Sequence, residues 1–200
     1  MKNKLVLWLA MMLMCFSALA QSYENMLPVP QHMQVQGGSF QLGKVKLATP
    51  VLQAEWENFI AQAGGEVSDK ASRLIEIKLV SEVQGAKLNQ EEAYRLKVTS
   101  KGIEVEATTQ KGVYWALQTL RQLEQKKGSY KACEIIDWPA FKIRGFMHDI
   151  GRSYLSIDEL KKEIEILSRY KINVFHWHLT ENQAWRFQVN SETIALSMTG

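Results

Sequence analysis

A strand, a helix and a second strand follow one another closely after Pro139, and this succession constrains the fold more than any other feature of the sequence. The strands are predicted over 142–149 and 172–179, and the helix between them over 157–170. Ser156, followed three residues later by Glu159, forms a capping-box pattern at the start of this helix. Two strands joined by a crossover helix pair in parallel, so a βαβ unit is predicted here.

Pro139 also marks a predicted domain boundary, because the composition changes over residues 136–139. Residues 21–138 alternate polar and apolar positions in their strands, which predicts an antiparallel sheet with one wet face and helices packed on the other, an α+β domain. Residues 139–200 are α/β in character. A complete (β/α)₈ TIM barrel needs about 250 residues, so this segment is expected to supply only the first β/α units of an incomplete barrel.

The secondary structure of the first domain is predicted from alternation and helical spacing. The segment 100–102 is predicted to be a hairpin turn between two strands, and Thr108 and Thr109 are candidate caps for the helix that follows. Strands are predicted around 40–42, 45–47, 74–80, 94–98 and 103–107, and helices over 51–63 and from 109 to about 127.

The first twenty residues are predicted to be a signal peptide. Lys2 and Lys4 precede an apolar run over 5–20, and the run ends in Ala18-Leu19-Ala20, which predicts cleavage before Gln21. The alternative is a single membrane anchor, but the run is slightly short for a span of about 20 residues and no basic flank follows it. We therefore expect export to the periplasm or the extracellular space, without membrane association after cleavage.

The charge argues against a nucleic-acid-binding protein, and the cysteine content argues against a framework of disulfides or cysteine-bound metal. The chain carries a net charge of +3, and loss of Lys2 and Lys4 with the leader brings it close to neutrality, so a nucleic-acid partner is not expected. Cys133 is the one cysteine left after that cleavage. It has no internal disulfide partner, and no cysteine-rich metal pattern is present.

Polar residues concentrate where the two strands of the βαβ unit end. Asp149 ends the first strand and Arg152 lies in the loop after it, whereas Arg144 lies further back, within the strand. Because α/β folds build their sites at the carboxyl ends of parallel strands, a functional site is predicted here. The second strand and the loop after it carry His176, His178, Glu181, Asn182, Gln183 and Arg186.

His176 and His178 are separated by one residue on a strand, so their side chains point to the same side. Metal-dependent amidohydrolase barrels bind metal with such a His-x-His pair, which makes an enzyme of that type one alternative. The other interpretation is that both imidazoles form hydrogen bonds in a polar barrel end. Two ligands alone do not make a metal site, and neither a metal nor an organic cofactor is predicted.

The carboxylates of Asp149 and Glu181 are open to two interpretations. They could form a pair for acid–base catalysis, or they could be ion-paired with Arg152, Arg144 or Arg186. The abundance of arginines in the same segments favours ion pairing.

Two ordered motifs resemble the N-acetyl-β-hexosaminidases of glycoside hydrolase family 20. The segment Arg-Gly-Phe-Met-His-Asp-Ile-Gly-Arg-Ser-Tyr at 144–154 is similar to the first barrel strand of that family. The segment Lys-Ile-Asn-Val-Phe-His-Trp-His-Leu-Thr at 171–180, with the residues up to Trp-Arg at 185–186, is similar to the second. The resemblance covers about residues 138–189, and the leading α+β domain fits the accessory domain that precedes the barrel in this family.

The resemblance implies roles for individual residues. Arg144 matches the arginine that binds the ring hydroxyls of the sugar. Glu181 stands where the family most often has an aspartate that supports the catalytic pair, and Asn182 stands where a second aspartate is common, so both depart from the usual pattern. The residues that match motif positions as pocket support are Asp149, Arg152, His178 and Trp185.

The resemblance also implies a reaction and a class of substrate. Family members cleave terminal N-acetylhexosamine from glycans or chito-oligosaccharides; the nucleophile is the substrate's acetamido oxygen, and an Asp-Glu pair on the fourth barrel strand assists. The one Asp-Glu dipeptide after Pro139 is Asp158-Glu159, which is predicted to cap a helix. We therefore expect the catalytic pair to lie beyond these residues and the 200-residue chain to be inactive alone. A non-catalytic carbohydrate-binding remnant is a further alternative.

Overall fold

The computed structural model describes residues 26–182 and the pair Ala184–Trp185. The signal peptide predicted over 1–20 lies outside this range, as do Gln183 and Arg186. The chain divides into two compact units, one up to Lys142 and one from Ile143. Among the helices of the described residues, none combines the length and the apolar character needed to cross a bilayer.

The first unit consists of one sheet and two α-helices. The helices are α1 (Gln53–Gln62) and α2 (Gln110–Gln122). The strands are β1 (His32–Gln41), β2 (Lys44–Ala48), β3 (Glu66–Val67), β4 (Leu74–Leu79), β5 (Tyr94–Val98), β6 (Gly102–Ala107), β7 (Glu124–Lys126) and β8 (Ser129–Asp137). The predicted hairpin turn between β5 and β6 is confirmed, and so is the cap of α2, where the Thr109 hydroxyl accepts a hydrogen bond from Lys111 N.

The sheet is mixed, which corrects the prediction of an antiparallel sheet. Its order is β1-β8-β5-β6-β4-β2-β3, with β7 paired to β8. Strands β1, β8, β5 and β6 pair antiparallel, whereas β6, β4, β2 and β3 pair in parallel. Alternation along a strand reports which face is buried but carries no information about the direction of the neighbour. Helix α1 is the crossover that connects β2 to the parallel strand β3.

The helices cover one face of this sheet, as the alternation predicts. Trp56 of α1 and Leu117 of α2 share one buried cluster with the inward side chains of the strands, such as Leu96 and Val105. The opposite face carries charged side chains in cross-strand ion pairs. Lys78 Nζ, for example, lies 2.8 Å from Glu104 Oε1 on the neighbouring strand.

Strands β7 and β8 are absent from the sequence-based prediction, in which α2 ran on to about Lys127. The helix ends at Gln122, and a tight turn at Gly128, with φ of 72°, leads into β8. Ala132 and Cys133 are consecutive and both buried, so β8 does not alternate cleanly. Because of this irregularity, the sequence pattern does not predict β8, although β8 lies between β1 and β5 in the sheet.

The second unit contains the predicted βαβ arrangement, which is confirmed. Strands β9 (Gly145–Asp149) and β10 (Val174–His178) pair in parallel, and α3 (Ile157–Arg169) connects them. Both halves of the capping box between Ser156 and Glu159 are present. The segment after β10, predicted as a loop, forms a short hairpin of β11 (Thr180–Glu181) and β12 (Ala184–Trp185).

Candidate functional site

The carboxyl ends of β9 and β10 bring together four of the residues predicted for the site. Asp149 and His178 are the last residues of their strands and are paired across the ladder. Glu181 follows in β11, and Asp149, His178 and Glu181 each offer a side-chain atom within 4.8 Å of the others. Arg152 joins them from the loop after β9. The parallel register therefore places residues that are far apart in sequence side by side.

Asp149 shapes the loop that carries Arg152. Its Oδ1 accepts hydrogen bonds from the backbone N–H groups of Gly151, at 2.9 Å, and of Arg152, at 3.2 Å. A β-carbon on Gly151 would lie 2.9 Å from the β-carbon of Glu181, so a glycine is needed for the loop to approach β11 this closely. The strand end, the loop and the hairpin thus form one packed unit around the Asp149 carboxylate.

The Arg152 guanidinium bridges the two carboxylates of the site. Its Nε lies 3.1 Å from Asp149 Oδ2, and a terminal nitrogen lies 3.3 Å from Glu181 Oε1. The arginine is largely exposed, whereas about three quarters or more of each carboxylate side chain is shielded. The interpretation that these carboxylates are ion-paired is therefore confirmed, with Arg152 as a partner of both. The pairing favours a positioning role over an acid–base dyad.

The group of described side chains that lie close enough to share a cation does not include both histidines of β10. The rings of His176 and His178 have their centroids 6.0 Å apart. Within the described residues, the side chains close enough to share a cation are Asp149, His178 and Glu181, a group without His176. A cation there would face the positive guanidinium that already binds both carboxylates, so the donor set does not suit a metal.

Arg144 lies at the opposite end of β9 from this cluster. It immediately precedes the strand, not within it as predicted, and a strand rises by about 3.3 Å per residue, so its backbone is about 16 Å from that of Asp149. Its Nε donates to the carbonyl oxygen of Lys171 at 2.6 Å. The side chain is half-buried and hydrogen-bonded, as expected for an arginine beside a sheet. A role in sugar binding stays a prediction.

Two contacts of this unit went unnoticed in the sequence. Asn173, just before β10, accepts a hydrogen bond from Arg144 N through its side-chain Oδ1 at 2.9 Å. His148 Nδ1 lies 2.8 Å from Glu163 Oε2 and ties β9 to α3. An asparagine directly before a strand rich in apolar residues was the available signal for the first contact. Asn182 is exposed in the turn between β11 and β12, and the side chain of Trp185 lies outside the described part of the chain.

The sequence matches two family models, which together span nearly all of the described residues. Residues 23–138 match the model described as glycosyl hydrolase family 20, domain 2. Residues 141–199 match the model described as glycosyl hydrolase family 20, catalytic domain.

The chain belongs to glycosyl hydrolase family 20.

Individual family 20 proteins agree with this assignment. The β-hexosaminidase of Porphyromonas gingivalis is 30% identical over 184 residues, which cover 82% of this chain and 24% of that protein. The crystal structure of the β-N-acetylhexosaminidase of Bacteroides fragilis superposes with a TM-score of 0.69 at 30% identity, covering 82% of this chain and 35% of the other. An exo-β-N-acetylglucosaminidase from Vibrio harveyi, in complex with N-acetylglucosamine, gives 0.68 at 28% identity, covering 82% and 27%.

Family 20 membership confirms the predicted architecture and excludes one of the alternative functions. The mixed α+β unit is the accessory domain, and β9, α3 and β10 begin the catalytic TIM barrel. The chain spans about a quarter of the length of the Porphyromonas relative and about a third of the Bacteroides structure. The amidohydrolase alternative is wrong, because the barrel strands match a different family of hydrolases.

Proposed function

We propose that this chain forms the accessory domain and first barrel strands of a β-N-acetylhexosaminidase. The enzyme would release terminal, non-reducing N-acetyl-D-hexosamine (GlcNAc or GalNAc) from glycans or chito-oligosaccharides. The observation that carries the proposal is the bridge from Arg152 to Asp149 and Glu181 at the carboxyl ends of β9 and β10. Barrel enzymes place their chemistry at this end, and the residues belong to a segment that matches the catalytic domain of family 20.

The proposed mechanism is retaining and assisted by the substrate. The acetamido oxygen attacks the anomeric carbon and a carboxylic acid protonates the leaving oxygen, with both assisting carboxylates supplied by a later barrel strand. In this scheme Glu181 supports that pair, because Arg152 holds its carboxylate at the mouth of the barrel. Asp149, His178 and Trp185 would complete the supporting wall of the pocket. The Arg144 guanidinium would bind ring hydroxyls of the sugar through its fork of donors.

The proposal includes export. The basic start, the apolar run over 5–20 and the small residues before Gln21 favour cleavage by a signal peptidase and action in the periplasm or outside the cell. Glycans and chito-oligosaccharides too large to enter the cytoplasm are the substrates that such a location offers. Amino-terminal sequencing of the exported protein should begin at Gln21.

Hydrolysis of an aryl N-acetyl-β-glucosaminide tests the proposal. The assay uses a protein in which this chain is followed by the rest of a family 20 barrel, and release of the aryl alcohol with retention at the anomeric carbon is expected. The 200 residues alone should give no turnover, because Asp158-Glu159 lies at the start of α3, where Glu159 closes the capping box. Binding of N-acetylglucosamine without turnover by the completed barrel would favour a carbohydrate-binding protein instead.

A further inference from the structure

The turn between α3 and β10 has a defined geometry that ends the helix at a fixed point. Ile172 N donates to Leu167 O and Lys171 N donates to Ser168 O, the two hydrogen bonds of a Schellman motif. Lys171 adopts a left-handed conformation, with φ of 60°, which the motif requires at this position. Its carbonyl oxygen is thereby turned toward the start of β9. The turn therefore places the Lys171 carbonyl oxygen beside Arg144.

This turn holds Arg144 by its backbone and its side chain together. Asn173 N donates to Arg144 O at 3.0 Å, and Arg144 N donates back to the side-chain Oδ1 of Asn173 at 2.9 Å. Arg144 Nε donates to Lys171 O at 2.6 Å. The first two hydrogen bonds fix the position of the Arg144 backbone relative to β10. The third fixes the orientation of its guanidinium group.

The side-chain Oδ1 of Asn173 accepts a hydrogen bond from a backbone N–H, as a backbone carbonyl oxygen does elsewhere in the ladder. Val174 N also donates to Arg144 O, at 3.2 Å, so the parallel pairing of β9 and β10 begins at this residue. The N–H of Arg144 takes its acceptor from a side chain. Alanine offers no acceptor, and the amide of glutamine is one methylene further away, whereas aspartate keeps an oxygen at the same distance from the backbone.

We propose that Asn173 is a positioning residue for Arg144 in the sugar pocket, an inference that rests on the proposed function. Asn173 lies outside the cluster of Arg152, Asp149 and Glu181, and its side chain accepts a hydrogen bond from Arg144 N. A bidentate guanidinium contact depends on the direction of approach, and a misplacement of about 1 Å can cost a large factor in rate. Loss of Asn173 Oδ1 therefore weakens the binding of substrate by Arg144, although no group that contacts the substrate is removed.

A double-mutant cycle in the completed barrel tests this inference. Asn173→Ala should lower kcat/KM for the aryl N-acetyl-β-glucosaminide by about three- to tenfold. The same substitution should have almost no effect when Arg144 is already alanine, because two residues that act as one unit are not additive. Arg144→Lys provides the same comparison at higher residual activity. Asn173→Asp, which keeps the acceptor, should restore most of kcat/KM.

The matched control is Glu163→Gln. It removes the charge that Glu163 presents to His148 in the same β/α unit, near the opposite end of β9 from Arg144. Its effect on kcat/KM should be small and should add to that of Arg144→Ala, and thermal unfolding of every variant separates lost fold from lost positioning. An equal loss from Asn173→Ala in both backgrounds would overturn the positioning role while leaving the hexosaminidase proposal intact. Absence of turnover in the parent protein would overturn both.

Discussion

The two units of this chain use the same local signals but differ in how they bury apolar surface. In the first unit, helices and strands converge on one core in which large side chains such as Trp56, Tyr94 and Tyr130 are completely enclosed. In the described part of the second unit, Ile150 and Leu160 are the buried apolar side chains. Large exposed ones in that part are Ile143, Phe146, Met147, Tyr154, Ile157, Ile164, Ile166, Tyr170, Val174 and Trp177.

This difference shows that correct secondary structure and a self-sufficient fold are separate properties. The capping box, the amphipathic helix and the parallel register of the second unit are as regular as anything in the first. Most helix stability nevertheless comes from packing of an apolar face, and two strands cannot enclose one. The candidate site therefore lies in the unit whose described part buries few apolar side chains, and we expect the accessory domain to be stable by itself.

The largest expected effect is on separated units. A polypeptide of residues 21–142 should be monodisperse and unfold cooperatively, whereas residues 143–200 should aggregate, because their apolar side chains and strand edges lack cover. Size-exclusion chromatography and denaturant unfolding measure both outcomes. A soluble, cooperatively folded 143–200 polypeptide would contradict the claim that the second unit, unlike the first, does not fold by itself.

Cys133 provides an internal check on the first polypeptide. The thiol is buried in the core, and burial raises its pKa to about 12. It should resist thiol reagents at pH 8 and react only on unfolding, since the thiolate is the reactive form. Because the folded pKa is raised, this group favours folding below the ordinary thiol pKa near 9, and that contribution is lost as the pH rises from there towards 12. Rapid labelling at pH 8 in native buffer would argue against an enclosed core.

A glycine inside α2 gives the next largest effect. Gly112→Ala should destabilise the first unit by about 1–3 kcal/mol, although alanine is intrinsically the better helix former by about 1 kcal/mol. A β-carbon there would lie 2.3 Å from Ala93 O and 2.9 Å from Ala107 Cβ, so the helix would have to move away from the sheet. Urea unfolding of residues 21–142 measures the change. Lys111→Ala, at an exposed position of the same helix, is the control and should be nearly neutral.

The sequence predicts the elements of this molecule better than their partners. Strand β5 and the capping box at Ser156 follow from local patterns and are confirmed. Strand β8 escaped prediction, because consecutive buried residues break its alternation, and the parallel half of the sheet was missed because alternation carries no direction. At the site, the shared register brings Asp149 and His178 to one edge, but the bridge by Arg152 to Glu181 depends on a loop geometry that no local pattern specifies.

The next smaller effect is expected for a substitution of Arg144 in a protein with a complete barrel. Arg144→Lys should lower kcat/KM by at least about tenfold, ~1.4 kcal/mol, because the charge remains but the fork of donors is lost. A loss in kcat should accompany it if the contact also places the acetamido oxygen for attack. Steady-state kinetics with an aryl N-acetyl-β-glucosaminide measures both constants.

The structural alternative for Arg144 makes the opposite prediction. If this arginine only joins β9 to the turn after α3 through Lys171 O, then Arg144→Lys should lower Tm and leave kcat/KM of the folded enzyme almost unchanged. That pattern would remove Arg144 from the substrate site. It would also mean that the candidate site is confined to the carboxyl ends of β9 and β10.

The smallest expected effect concerns the charged face of the first unit, and it tests whether stability there comes from the core. Lys78 lies between Glu76 and Glu104, and its hydrogen bond to Glu104 lowers the pKa of that carboxyl. A lowered folded pKa favours folding above the ordinary carboxyl pKa, and the contribution is lost as the pH falls through the folded value. Glu104→Gln should therefore lower Tm at pH 7 by no more than about 3 °C, because solvent and salt screen exposed pairs, and the difference from the parent should vanish near pH 2. A much larger fall at pH 7, or one that persists in acid, would mean that the ionic face holds the sheet together and that the contrast between the units does not rest on apolar burial alone.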